Sequence, residues 1–172
     1  MEEGSKCRVD LGEKRRVFRC CGDVQPCTKS PHVYSYRDFG TLLNHHDFIS
    51  TNDWDGENTV VAVDCEMVYT TGGLEIGRIS MVDQEEQVLL DVFVQPEHPV
   101  IDYNERWSGL NAAILAEKAK GQRLKEVYPM MAKHLHQNTI LVGHSLNSDL
   151  KCLRVPLSVK VWDTFYPQTA SR

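Results

Sequence analysis

The run "TVVAVDCEMVYTT", residues 59–71, decides how this chain is read. Thr59, Val60, Val61, Ala62 and Val63 are small or apolar and show no alternation with polar residues. A short β-branched run of this kind predicts a strand covered on both faces, at the centre of a sheet. It ends abruptly in two acids, Asp64 and Glu66. Side chains alternate across a strand, so acids one residue apart project to the same side. Carboxylates are costly to bury beside an apolar segment unless something compensates them. A shared divalent cation is such a compensation, and sites in open α/β sheets lie at the carboxyl ends of strands.

Working outward, "RISMVD" (78–83) and "QVLLDVFVQP" (87–96) predict two further strands, with the polar "QEE" as a hairpin loop. "NAAILAEKAK" predicts a helix capped by Asn111 and stopped by Gly121. "LKEVYPMMAKHLHQ" places Leu124, Val127, Met131 and Leu135 on one helical face, with a kink or a later start expected at Pro129. "TILVG" (139–143) and "VKVWD" (159–163) predict two more strands, with "SLNSDLKCL" as a helix between them. Three strands, then helices alternating with strands, predict an α/β fold with a mixed five-stranded sheet and flanking helices. A short helix is expected in "YRDFGTLLNHHDFI", and "STNDWDGEN" (50–58) reads as a boundary. The expected organisation is an N-terminal segment, 1–50, and a core domain, 59–172.

A third acid, Asp149, stands in the helix after the fourth predicted strand. Asp64, Glu66 and Asp149 are therefore expected to converge from neighbouring elements. Clustered carboxylates select hard cations such as Mg²⁺ or Mn²⁺, and paired ions of that kind hydrolyse phosphodiesters.

Composition bounds the alternatives. The chain has 172 residues, 41% hydrophobic and 25% charged, with a net charge of −5. These are values of a soluble globular protein, and they argue against one that grips nucleic acid over a broad basic face. No stretch approaches the ~20 apolar residues of a membrane span. The polar start "MEEGSKCRVD" is no secretory signal, so an intracellular compartment is expected. Four of the six cysteines, Cys7, Cys20, Cys21 and Cys27, precede His32 in the N-terminal segment. Thiolates and an imidazole at such spacing can close a tetrahedral zinc site. The other reading is a set of reduced, packed thiols.

"VAVDCEMVYTT", "IDYNERWSGL" and "LVGHSLNSDL" together resemble the exonuclease motifs of the DEDD superfamily, in the RNA exonuclease branch known as Rex-type. The resemblance covers residues 59–166 and implies a ribonuclease H-like fold, located in the nucleus, with metal-dependent removal of nucleotides from single-stranded RNA 3′ ends. It implies that Asp64, Glu66 and Asp149 hold Mg²⁺ or Mn²⁺, that Met67 lies beside the terminal base, and that Trp107 and His144 contact substrate. "FRCCG…C…HV" also resembles the segment preceding the catalytic domain in some Rex-type proteins. The family's third motif, a general-base histidine followed by a fourth acid, has no counterpart in this chain. Asp163 in "VWDT" reads instead as a carboxylate satisfying backbone groups at a strand end. The chain is thus expected to be a C-terminally truncated exonuclease with little activity of its own. The alternative is a catalytically inactive nucleic-acid-binding or interaction module that keeps the fold.

Overall fold

Val60–Thr70 form one long strand, β5, and the rest of the sheet is arranged around it. The coordinates are a computed structural model. They describe residues 49–51, 53–155 and 160–165, together with the backbone of four two-residue strands nearer the N-terminus. Those strands are Glu3–Gly4 (β1), Val9–Asp10 (β2), Val17–Phe18 (β3) and Ser30–Pro31 (β4). β1 pairs antiparallel with β4, and β2 with β3. By its contacts the chain divides into Met1–Tyr34 and Ser35–Arg172. The side chains of Cys7, Cys20, Cys21, Cys27 and His32, and the helix expected over 36–48, lie outside the described residues.

In the larger unit β5 is followed by Gly73–Asp83 (β6), Val88–Phe93 (β7) and Val100–Asp102 (β8). Three helices come next: Glu105–Ser108 (α1), Ala112–Lys118 (α2) and Leu124–Ala132 (α3). Ile140–Gly143 (β9), Asn147–Leu153 (α4) and Lys160–Asp163 (β10) complete it. The strand order is β10-β9-β5-β6-β7, with β8 pairing β5 near its carboxyl end. β9 and β10 run parallel to β5, whereas β6, β7 and β8 continue the sheet through antiparallel pairs. This is the mixed, ribonuclease H-like sheet expected, with one short addition. β8 was not foreseen because Pro96 and Pro99 mark a chain leaving the sheet; only Val100 and Asp102 return to pair with Thr70 and Tyr69.

The "QEE" loop forms because the Asp83 carboxylate accepts from the backbone N–H groups of Glu85 and Gln87, at 2.9 and 2.8 Å. Asn111 caps α2, accepting from Ile114 N–H at 3.0 Å. α3 starts at Leu124, ahead of Pro129, and runs through it. Proline deletes one intrahelical hydrogen bond, and the burial of Leu124, Val127, Met131 and Leu135 on one face offsets that loss. These residues pack with Val61, Val63 and Cys65 of β5 and with Leu146, Leu150 and Leu153 around α4 to form the main core.

One expectation needs correcting. β5 is central in the sheet but is not sealed on both faces. Val61, Val63 and Cys65 are buried, while Val60 and Ala62 are only half-covered and Asp64 is exposed. Register places Val88, Val82, Ala62, Val142 and Trp162 in a single row across five strands on this second face. At the ends of the row Val88 is 70% and Trp162 58% exposed. An unbroken apolar run carries no information about which face is covered, so the sequence pattern could not distinguish the two. Among the described residues no helix is long and apolar enough to cross a membrane.

Candidate active site

Two rows lie beside that apolar row on the same face. Asp64 is flanked by Ser80 and Asp91, and Glu66 by Arg78 and Phe93. The register of β5 and β6 shifts between Glu66 and Met67, skipping Gly77. A Cβ on Gly77 would meet Leu110 Cδ1 at 2.4 Å, so a side chain at this bulge would require the end of Leu110 to move.

Asp149 reaches this strand from α4. It is 6% exposed, and its Oδ1 accepts from the backbone N–H of Cys65 at 3.1 Å. Cys65 stands between Asp64 and Glu66, so a carboxylate from a helix is tethered between two carboxylates on a strand. What makes the approach possible is Gly143, where β9 ends. A Cβ there would lie 2.7 Å from the Val63 carbonyl oxygen and 2.4 Å from Leu146 Cδ2.

The electrostatics reflect crowded negative charge. Burial, then the charge of Asp64, raise the Glu66 carboxyl; Arg78 opposes the shift and Asp149 adds to it. Burial also raises Asp149, with Asp64 contributing, while backbone hydrogen bonds hold it back. Arg78 is not free to neutralise the pair. Its guanidinium makes a bidentate ion pair with Asp91 at 2.7 and 2.8 Å and lies 5.3 Å from the Phe93 ring centroid. Cys65 is inert, since burial and then Asp149 push its thiol well up. Among the described residues no three acidic, histidine or cysteine side chains lie close enough together to cage a metal as they stand. The donor set is nevertheless all carboxylate oxygen with an unneutralised charge, which suits a hard divalent cation.

The other candidate residues are spread around this centre. Trp107 is 73% exposed on α1, with the Arg106 guanidinium 5.1 Å from its ring centroid. α1 is held by Ser108, whose hydroxyl donates to the Tyr103 carbonyl at 2.8 Å and accepts from Leu110 N–H at 3.0 Å. Met67 is half-buried, and alternation turns it onto the main core rather than to the side of Asp64 and Glu66. His144 is exposed, with Nδ1 3.1 Å from Thr164 Oγ1 and its ring edge-on to Phe165. Asp163 accepts from the N–H groups of Ser145, Leu146 and Phe165, at 2.9, 3.0 and 2.9 Å. These bonds hold its carboxyl below the usual range. Arg78 was missed by sequence reasoning; its partner Asp91 is set by strand register, which local spacing does not reveal.

A mixed sheet with carboxylates on its central strand and on a helix beside it defines a ribonuclease H-like exonuclease domain. Comparison with known proteins agrees: residues 61–167 match the family model described as Exonuclease, RNase T type. The chain belongs to that family, within the DEDD superfamily of exonucleases. It is 34% identical to RNA exonuclease 3 of Schizosaccharomyces pombe over 89% of this chain and 29% of that protein. It is 35% identical to RNA exonuclease 3 of Kluyveromyces lactis over 96% of this chain and 38% of that protein. The human RNA exonuclease 1 homolog is 44% identical over 56% of this chain and 8% of its own length. The chain thus spans well under half the length of these relatives. Among solved structures, the Neurospora crassa Pan2 catalytic unit, comprising protease and nuclease domains, superposes with a TM-score of 0.53 at 23% identity. That match covers 73% of this chain and 22% of Pan2, and it speaks for the fold.

Proposed function

We propose that this chain carries the metal-holding part of a 3′→5′ exoribonuclease that works on single-stranded RNA ends in the nucleus. The observation that carries the reading is the Asp149 carboxylate tethered at Cys65, between Asp64 and Glu66. Asp64, Glu66 and Asp149 would hold Mg²⁺ or Mn²⁺. The bound ion would supply Lewis acidity toward the scissile phosphate and lower the pKa of water. Glu66 and Asp149 start with raised affinity for protons, so ionising them for metal binding carries a cost that the cation offsets. Trp107 offers an exposed ring on which a base can stack. His144, steadied by Thr164 and Phe165, lies just before α4 and faces solvent, where it can donate to a phosphate or ribose. Met67, expected beside the terminal base, packs instead against the main core and is given no substrate role here. Cys7, Cys20, Cys21, Cys27 and His32 are proposed to hold zinc.

The decisive test is binding. Mn²⁺ titrated into the purified chain by calorimetry should bind, and Asp64→Ala should abolish it. Absence of binding, or binding unaffected by Asp64→Ala, would defeat the proposal. With RNA labelled at either end, any product should be a mononucleotide from the 3′ end and should vanish with EDTA.

A further inference from the structure

We propose that Asp163 is a positioning residue for Asp149: by clasping the backbone of Ser145 and Leu146 from the neighbouring strand, it sets the direction in which α4 leaves the sheet. The inference rests on the reading of Asp64, Glu66 and Asp149 as the ion-holding set.

Asp163 is the last residue of β10 and pairs in register with Gly143, the last residue of β9. One of its oxygens accepts from Ser145 N–H and from Phe165 N–H, both at 2.9 Å; the other accepts from Leu146 N–H at 3.0 Å. Leu146 is the N-cap of α4, and its own side chain gives no capping bond. The carboxylate that satisfies this helix end therefore comes from another strand. Ser145 has φ of 58°, a left-handed conformation that a serine holds only where its surroundings impose it. Thr164 tightens the same junction, donating to the Gly143 carbonyl from its N–H at 2.8 Å and its hydroxyl at 3.0 Å. Gly143 in turn lies too close to the Val63 carbonyl to admit a side chain. β5, β9 and β10 are thus locked at one point, and Asp149 lies only three residues beyond Leu146.

Asp149 meets β5 at one residue, Cys65, through its backbone N–H at 3.1 Å and its thiol. Functional groups must be held within about 0.5 Å to work together, so a small rotation of a seven-residue helix is enough to break that reach. The chemistry at 163 is specific. A carboxylate accepts on both oxygens, whereas an asparagine amide would set an N–H against one of the backbone N–H groups it must receive.

The test compares the native chain with Asp163→Ala, Asp163→Asn and a control on the same strand, Trp162→Ala, well below their melting temperatures. Two quantities are read: the Mn²⁺ midpoint by calorimetry and the exchange rate of the Cys65 amide by NMR in the absence of metal. The Asp163 variants should need about 10–100-fold more Mn²⁺, the usual effect of removing a group that orients a ligand. Their Cys65 amide should also exchange at least about tenfold faster, because local opening exposes it. Trp162→Ala should change neither. If Asp163→Ala fails to fold, Asp163→Asn decides the matter. A folded Asp163 variant that binds Mn²⁺ like the native chain and protects Cys65 equally would overturn this inference alone. A native chain that binds no Mn²⁺ would overturn the ion-holding reading and this inference together.

Discussion

Replacing Asp64 by asparagine should stabilise the metal-free protein while removing its response to metal. Asp64 is exposed, so its desolvation costs little, yet its charge raises the carboxyls of both Glu66 and Asp149. Like charges facing each other at this range destabilise by about 0.2–1 kcal/mol per pair, and screening at an exposed group places the sum at about 0.5–1 kcal/mol. For a domain of this size about 1 kcal/mol moves the melting temperature by about 2–4 °C. Asp64→Asn should therefore melt about 1–4 °C higher in EDTA at neutral pH. The sign follows from the direction of the shifts. A carboxyl raised in the folded state favours folding while protonated, and that contribution is lost as pH rises through its folded pKa. The gain from Asp64→Asn should thus grow as pH rises through the range where Glu66 and Asp149 ionise, and fade below the ordinary carboxylate range. With Mn²⁺ at about a hundred times its dissociation constant, the native chain should gain about 2.7 kcal/mol, or about 5–10 °C, and the variant almost nothing. Differential scanning calorimetry at several pH values reads both effects. An Asp64→Asn chain that melts below the native one in EDTA, or that gains as much from Mn²⁺, would refute the reasoning.

Three other outcomes are expected. Gly143→Ala should lose about 1–3 kcal/mol by urea denaturation, because its methyl group meets the Val63 carbonyl at 2.7 Å and the backbone must shift. Trp107→Ala should change stability by less than about 0.5 kcal/mol, since the ring is exposed, yet weaken binding of a fluorescent oligoribonucleotide by about 1–3 kcal/mol in anisotropy titrations. Protein purified without added zinc should carry about one zinc ion per chain by elemental analysis, as four Cys or His ligands require; a value near zero would return Cys7, Cys20, Cys21 and Cys27 to ordinary packing.

Much of this was legible in the residues because the signals were local. The β-branched run before Asp64 located the central strand, and Asn111 marked where α2 begins. The spacing of Asp64 and Glu66 placed both acids on one side of β5. What stayed hidden depends on distant partners. β5 continues through the acids to Thr70 because β6 pairs with it along its whole length, and no local propensity announces that. α3 runs through Pro129 because its buried face outweighs one missing hydrogen bond. α1 is four residues long and starts after Asn104 in a left-handed conformation, too short for periodicity to register. The order of the motifs pointed to Asp149, but only the fold shows the Cys65 amide as its tether.

The row from Val88 to Trp162 has an optical consequence. Trp162 ends it with its indole in water, whereas Trp54 is half-buried against the main core. The third tryptophan, Trp107, is also exposed and stands on α1. In a Trp107→Phe background the long-wavelength edge of the emission would come from Trp162 alone, and its position would follow the polarity of the medium over the second face of the sheet. Anything that lies down along Val82, Ala62 and Val142 should pull that edge to the blue and shield it from iodide, so the state of this face can be followed in solution without attaching a label.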